Sequence, residues 1–189
     1  MTQCHVPDEP TIIHPALAGR YSPVRFNSTL TLTTAEVHAL LDAARHAPSA
    51  GNSQPWKFIV ARRGDANHQR IVRRLARSSS LWAPAASLLV VNLAHTLVEG
   101  TADWEYSEFA HYDLGQAVAH MTFQGLAMGL AAHQFRAFDR DGITSDFVIP
   151  HHWEVTSITA FGTATHAAGE LASSGTSRER MSLDEIIWS

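Results

Sequence analysis

Residues 44–58 read Ala-Arg-His-Ala-Pro-Ser-Ala-Gly-Asn-Ser-Gln-Pro-Trp-Lys-Phe, and this stretch is the most informative part of the chain. Pro48 and Pro55 stiffen its middle because proline fixes the backbone φ angle. Ala50 and Gly51 allow another molecule to approach the backbone closely. Three side chains between the prolines can hydrogen-bond a ligand: Ser49, Asn52 and Gln54. We therefore predict a binding loop, and the alternative is a plain connector followed by a packed tryptophan.

A helix is predicted before this loop and a strand after it. Thr33 and Glu36 have the spacing of a capping box, in which each side chain caps the backbone amide of the other residue. Apolar residues then recur with helical spacing and predict an amphipathic helix that ends near His46: Val37, Leu40, Leu41 and Ala44. Residues 56–61 are apolar and β-prone, which is typical of a strand.

Helices and strands continue to alternate along the rest of the chain. Residues 71–77 predict a short basic helix, and residues 112–130 predict a long helix that is apolar on every face and therefore buried. Residues 87–93 and 155–161 predict two further strands, and the small residues of 164–177 indicate a loop. Because this alternation lacks a βαβ repeat, we predict an α+β fold with a mixed or antiparallel sheet flanked by helices.

Length, charge and cysteine content restrict the classes of function. The chain has 189 residues, enough for one domain, and its net charge of −4 argues against a surface for nucleic acid. The single Cys4 cannot form an internal disulfide, and we interpret it as part of a frayed terminus rather than as a redox thiol. The first ten residues lack a signal-peptide pattern, and no apolar run is long enough for a membrane, so we expect a cytoplasmic protein.

Motifs for several other chemistries are absent from the sequence. No glycine-rich dinucleotide motif, P-loop or serine-nucleophile motif occurs. The chain has 12 histidines, but their spacing forms no metal-ligand motif, so we expect no metal site. We interpret Asp103, Glu105 and Glu108 as a solvated loop, and the alternative is an acid–base pair.

The loop in residues 44–58 resembles the FMN-dependent nitroreductase family, in which a helix end and an Ala-Pro-Ser-x-x-Asn-x-Gln-Pro-Trp sequence precede a strand. Other stretches that resemble the family are residues 19–26, 113–130, 134–139 and 178–183. The resemblance implies a nitroreductase-like, three-layer α-β-α fold and an intertwined homodimer with residues 113–130 at its interface. It also implies one FMN-binding domain over residues 19–189. The stretch before it, residues 1–18, contains three prolines and no clear period, which predicts an irregular N-terminal arm.

The resemblance further implies which residues bind FMN. Those expected near the phosphate and ribityl chain are Arg20, Tyr21, Ser22, Arg178 and Arg180. Five residues of the loop in residues 44–58 are also expected to bind flavin: Pro48, Ser49, Ala50, Asn52 and Gln54. In the family, the part from Pro48 to Asn52 reaches the flavin that is held mainly by the other subunit. The segment that holds Arg136 and Ala137 is expected to present a backbone amide to flavin N5.

The implied activity is that of an NAD(P)H-dependent oxidoreductase, with FMN as cofactor and NAD(P)H as co-substrate. Hydride would pass through flavin N5 to a small acceptor such as a nitroaromatic, a quinone or an enone, in a ping-pong scheme that needs no catalytic side chain. The alternative is an FMN-binding or FMN-sequestering protein with little turnover.

Two positions depart from the family pattern. Val24 stands where a basic residue often lies near flavin N1, and Arg136 stands where many members have an acid. The positive charge of Arg136 is expected to favour an anionic substrate or the 2′-phosphate of NADPH.

Overall fold

The structure is a computed structural model that describes residues 13–171 and 176–188. Its strands in these ranges are β1 (Trp56–Arg62), β2 (Leu88–His95), β3 (Ala131–Phe135) and β4 (Trp153–Gly162). Its α-helices are α1 (Pro15–Gly19), α2 (Thr34–Arg45), α3 (Ala66–Val72), α4 (Arg77–Ser80), α5 (Ala110–Ala127), α6 (Arg140–Asp146) and α7 (Leu183–Ile186). Two short 3₁₀ turns lie at Ala50–Asn52 and Ala83–Ala85.

The four strands form one sheet in the order β1-β2-β4-β3, and each neighbouring pair is antiparallel. Strand β2 lies inside the sheet, where Leu89 is opposite Ala61 of β1 and Ala160 of β4. Strand β3 lies at an edge and pairs with β4. The predicted α+β class with an antiparallel sheet is therefore confirmed for the described strands.

Helices cover both faces of the sheet. Alternate residues of β2 point to opposite faces, so this strand packs against a different set of helices on each side. Leu88 and Val90 belong to an apolar cluster with helices α2 and α5. Leu89 and Val91 belong to a second cluster with helices α3 and α6. The chain thus has the three layers, α-β-α, that the family resemblance implied.

Helix α2 forms as the sequence predicts. Thr33 N–H donates to Glu36 Oε2 at 2.6 Å, and Glu36 N–H donates to Thr33 Oγ1 at 3.2 Å. The bonds that the Thr33 amide and hydroxyl donate to the charged carboxylate lower the pKa of Glu36. His46 is the C-terminal cap, so the predicted boundary is also confirmed.

Helix α5 ends at Ala127 rather than at the predicted Leu130, and the structure shows why. Gly129 has a left-handed φ of 76°, and Leu130 N–H donates to the Gly125 carbonyl at 2.9 Å. This arrangement is a Schellman cap, in which glycine ends the helix by turning the chain back. The chain then enters β3, which the sequence analysis did not predict, and the following helix α6 was also missed.

The single helix predicted over residues 71–77 is wrong. The chain instead forms α3, capped by Asp65 through a 2.7 Å bond from His68 N–H, and then the short helix α4. Between them Leu75 leaves the helical path and forms an antiparallel bridge with Phe138. A pairing with a distant segment therefore overrides the local helical preference.

The two termini are described only in part. Residues 15–18 of the predicted N-terminal arm belong to the short helix α1, whereas Cys4 lies outside the described residues. The C-terminal segment forms α7, and its side chains are exposed up to Trp188. No helix within residues 13–171 and 176–188 has the length and hydropathy to cross a membrane. The same ranges contain no cluster of three or more potential metal ligands among His, Cys, Asp and Glu.

Candidate functional site

The N-terminal segment, defined as residues 20–26, is attached to the chain that follows β4. His166 accepts a hydrogen bond from Val24 N–H at its Nε2 atom, at 3.1 Å. The carbonyl of His166 accepts a second bond from the Tyr21 hydroxyl. Phe26 forms a β-bridge to Ala164. These contacts fix the backbone that carries Arg20 and Ser22.

Three arginines from the two ends of the chain meet beside this segment. Arg178 donates to the Ala18 carbonyl at 2.7 Å, and Arg180 donates to the Arg20 carbonyl at 3.3 Å. Arg20 itself points toward Ser22, with Nη1 at 3.4 Å from Oγ. Partial burial, followed by the charge of Arg180, lowers the pKa of Arg20. We call this group the arginine cluster.

The arginine cluster has an uncompensated positive charge within the described part of the chain. No carboxylate of residues 13–171 or 176–188 forms an ion pair with Arg20, Arg178 or Arg180. Like charges in a partly buried place repel each other unless an anion lies between them. The donor set therefore fits a phosphate group, which guanidinium binds through paired hydrogen bonds.

A cleft of about 340 Å³ with both polar and apolar lining residues opens next to the arginine cluster, and we call it the arginine cleft. It lies between the N-terminal segment, helix α5 and strand β3, and its lining residues are Arg20, Ser22, Ala119, Thr122, Phe123, Ala132 and Gln134. Gln134 donates to Thr122 Oγ1 at 3.2 Å, so β3 and α5 are joined across its floor. The hydroxyl and amide groups suit a chain of hydroxyls such as a ribityl group.

A larger cleft of about 640 Å³ lies on the opposite face of β3, and we call it the aromatic cleft. Its walls include Trp82, His133 and Phe135. The rings of Trp82 and His133 stack with centroids 4.3 Å apart and planes 12° apart, and Phe135 meets Trp82 edge-on at 4.9 Å. Ser78 and Ala137 also line this cleft. Because alternate residues of β3 face opposite sides, one edge strand contributes to both clefts.

His133 is held in one orientation in the aromatic cleft. Its Nδ1 atom is 2.8 Å from the Pro23 carbonyl, and because a carbonyl only accepts, Nδ1 carries the hydrogen. Burial lowers the pKa of His133, and the nearby charge of Arg20 lowers it further, although the bond to Pro23 acts in the opposite direction. The neutral ring therefore keeps an unprotonated Nε2 as an acceptor.

The lowered pKa of His133 predicts a pH dependence of stability. The unfolded chain takes up a proton near pH 6.5, whereas the folded protein takes it up only at lower pH. The contribution of His133 is thus complete above about pH 6.5 and is lost as the pH falls toward the pKa of the folded state. We expect His133→Gln to show a smaller loss of unfolding free energy between pH 8 and pH 5.5 than the wild type, measured by urea denaturation. Equal losses in both proteins would contradict this assignment.

The loop that follows α2 is anchored at the start of helix α5. Buried Asp113 accepts a hydrogen bond from Ala50 N–H at 3.0 Å, and Ser49 Oγ accepts one from Gln54 N–H at 3.0 Å. Asn52 and Gln54 have left-handed φ values of 55° and 49°, which costs each of these side chains roughly 1 kcal/mol. The loop is thus held in an unfavourable conformation that leaves Asn52 and Gln54 exposed.

Comparisons with known proteins place this architecture in a family. The model of the nitroreductase family matches residues 17–80. A 15.4 kDa protein of Mycolicibacterium smegmatis of uncharacterised function is 30% identical over 146 residues, which are 70% of this chain and 94% of that protein. The crystal structure of an FMN-containing oxidoreductase superposes with a TM-score of 0.82 and 26% identity, covering 100% of this chain and 96% of the other.

The chain belongs to the nitroreductase family. A further structure, from Desulfovibrio desulfuricans, was assigned as a nitroreductase and solved in complex with FMN. It superposes with a TM-score of 0.75 at 20% identity and covers 94% of this chain and 97% of its own. At that identity the likeness shows the fold alone.

Within this nitroreductase fold, the residues predicted for FMN fall into three groups. Arg20, Ser22, Arg178 and Arg180 come together in or beside the arginine cleft, and Tyr21 turns its hydroxyl to the protein backbone. Ala137 lines the aromatic cleft, and the adjacent Arg136 is exposed. The third group lines neither cleft and lies in the exposed loop beside α5: Pro48, Ser49, Ala50, Asn52 and Gln54.

Sequence reasoning missed the residues that form the walls of the aromatic cleft. Trp82 and His133 are 51 positions apart, and their stacking depends on how β3 is placed against the segment after α4. No local pattern relates them. The available signal was the short segment before Phe135, where His133 and Phe135 alternate with Ala132 and Gln134 as in a strand.

Proposed function

We propose that this protein binds FMN and acts as an NAD(P)H-dependent oxidoreductase on a small acceptor such as a nitroaromatic, a quinone or an enone. The observation that supports this most directly is the arginine cluster, in which Arg20, Arg178 and Arg180 meet without a described carboxylate to neutralise them. Membership of the nitroreductase family and the likeness to an FMN-containing oxidoreductase support the same cofactor.

The described residues that would hold FMN lie along the N-terminal segment and at the edge strand β3, which contributes to both clefts. The arginine cluster would hold the phosphate, and Ser22 with Gln134 would hydrogen-bond the ribityl hydroxyls. The aromatic cleft, with Ala137 at one side, has flat apolar walls suited to a ring system. FMN supplies the hydride-transfer chemistry when it is bound.

The protein's own contribution is then to bind, orient and exclude water. Trp82 and Phe135 provide an apolar wall. His133 offers its Nε2 atom as a hydrogen-bond acceptor in a fixed orientation, because its Nδ1 atom is bonded to the Pro23 carbonyl. No carboxyl group lines the aromatic cleft among the described residues, so an acid–base role for a carboxyl group has no support there.

We also propose that the complete site requires a homodimer. Most of residues 48–54 are exposed, and the loop that they form is conformationally constrained and anchored by Asp113. These residues line neither cleft of their own chain. Such a rigid, polar loop is suited to contact a second copy of the chain. The loop would complete the flavin site of the partner, as the family resemblance implies.

Purified protein tests the proposed activity directly. We expect yellow protein whose flavin absorbance near 450 nm (a general property of oxidised flavins) is bleached by NADH or NADPH under anaerobic conditions and restored by a quinone or nitroaromatic. Yellow protein that neither nucleotide bleaches would overturn the enzymatic proposal and leave flavin sequestration. Colourless protein that takes up no added FMN would overturn both.

A further inference from the structure

Two arginines lie beside the aromatic cleft, on two segments that are hydrogen-bonded to each other. The bridge between Leu75 and Phe138 is antiparallel, and Ala76 N–H donates to the Ala137 carbonyl at 3.0 Å. Arg77, the first residue of α4, follows Ala76, and Arg136 precedes Ala137. Both arginines therefore branch from the place where these two segments meet.

Both arginines are exposed, and neither is neutralised within the described residues. Arg77 and Arg136 form no ion pair and no side-chain hydrogen bond with residues 13–171 or 176–188. The nearby Arg74 differs, because it binds Asp146 at 2.7 Å and Asp139 at 3.3 Å. Two unpaired guanidinium groups at adjacent positions form a concentrated positive charge.

The position of this charge relates it to the aromatic cleft. Ser78 and Ala137, the direct chain neighbours of Arg77 and Arg136, both line the cleft. The cleft has one charged lining residue, Arg25, and no acidic one among the described residues. A molecule that enters the cleft past Arg77 and Arg136 therefore meets their positive charges. Among the described lining residues it meets Arg25 and no acidic side chain.

We propose that Arg77 and Arg136 form an anion-binding site that holds a phosphate or carboxylate of the molecule that reacts at the aromatic cleft. This inference rests on the proposed function, since it assigns a substrate class to the same site. The shared chemistry is an anionic group recognised by paired guanidiniums. Its source is either the 2′-phosphate of NADPH or an acidic group on the electron acceptor.

The test compares the double variant Arg77→Gln/Arg136→Gln with the double variant Arg45→Gln/Arg73→Gln in the FMN-supplemented protein. Arg45 and Arg73 are exposed arginines that line neither cleft, so this control removes the same number of positive charges. Calorimetry measures the Kd of NADP⁺ and of NAD⁺, which requires no turnover. Steady-state kinetics then compare 4-nitrobenzoate with the neutral 4-nitrobenzyl alcohol.

If the site binds the nucleotide phosphate, the double variant binds NADP⁺ at least about tenfold more weakly and NAD⁺ unchanged, as expected for lost charged hydrogen bonds. If it binds the acceptor, NADP⁺ binding is unchanged and kcat/KM falls about tenfold for 4-nitrobenzoate only. Unchanged selectivity in both measurements would overturn the inference, as would equal effects in the Arg45→Gln/Arg73→Gln control. A protein that binds NADP⁺ selectively but is never reduced would reject the proposed activity and retain the anion site.

Discussion

Arg20→Ala is expected to weaken FMN binding by roughly 1.5–3 kcal/mol, or about 10- to 150-fold in Kd, the range for a hydrogen bond to a charged group. The reason is its place in the arginine cluster, where Arg180 lies close enough to lower its pKa. Removing the guanidinium group of Arg20 leaves only Arg178 and Arg180 to donate hydrogen bonds to the phosphate. Fluorescence titration of FMN into apoprotein measures the change.

Two further variants make the Arg20 measurement specific. Arg20→Lys retains the charge but loses the paired donors, so its affinity should lie between those of the wild type and Arg20→Ala. Arg45→Ala removes an exposed arginine on α2 that pairs with Asp42, and FMN affinity should not change. Wild-type affinity in Arg20→Ala would remove Arg20 from the proposed phosphate site.

Phe161→Ala is expected to lower the free energy of unfolding by about 3–5 kcal/mol. Phe161 is fully buried in β4, opposite Leu88 of β2 and Ala132 of β3. A Cβ atom added at Gly125 would lie 3.0 Å from its ring, which shows how closely helix α5 approaches the sheet at this point. The side chain thus joins α5 to β3, the two elements that border the arginine cleft. Urea denaturation measures the loss.

A variant that leaves a smaller cavity at the same position provides the control for the Phe161→Ala prediction. Phe161→Leu leaves a smaller void and should lose only about 1–2 kcal/mol, because the cost increases with cavity volume. FMN affinity, measured well below the unfolding temperature, should fall in Phe161→Ala if the packing of α5 positions the cleft. A loss below 1 kcal/mol in Phe161→Ala would show that the core around Gly125 closes on the void.

Local sequence patterns were sufficient where an element is determined by its own residues. The capping box of Thr33 and Glu36, the apolar spacing of α2 and the β-prone residues of β1 all predicted the structure correctly. Patterns failed where the ends of elements depend on distant contacts. Residues 71–77 have helical composition, but the bridge from Leu75 to Phe138 divides them.

The candidate site divides in the same way. The sequence singled out Arg20, Ser22, Arg178 and Arg180 through a family resemblance, and the structure brings these residues together. It could not indicate the stacking of Trp82 on His133, since this contact arises only when β3 takes its place at the sheet edge. The contact between the segments that carry Arg77 and Arg136 also depends on the tertiary structure, because it is made by the bridge from Leu75 to Phe138.

By itself, the sequence determined the α+β class and the loop of residues 44–58, and a family resemblance singled out the residues proposed to hold a flavin phosphate. The α+β class and the loop depend on periodicity, capping and composition, which are properties of neighbouring residues. The tertiary structure alone decided which faces of β3 become clefts, where the unpaired arginines meet, and that residues 48–54 lie apart from both clefts of their own chain. Those features depend on strand register and on contacts between segments more than 50 residues apart, and such contacts leave no local pattern in the sequence.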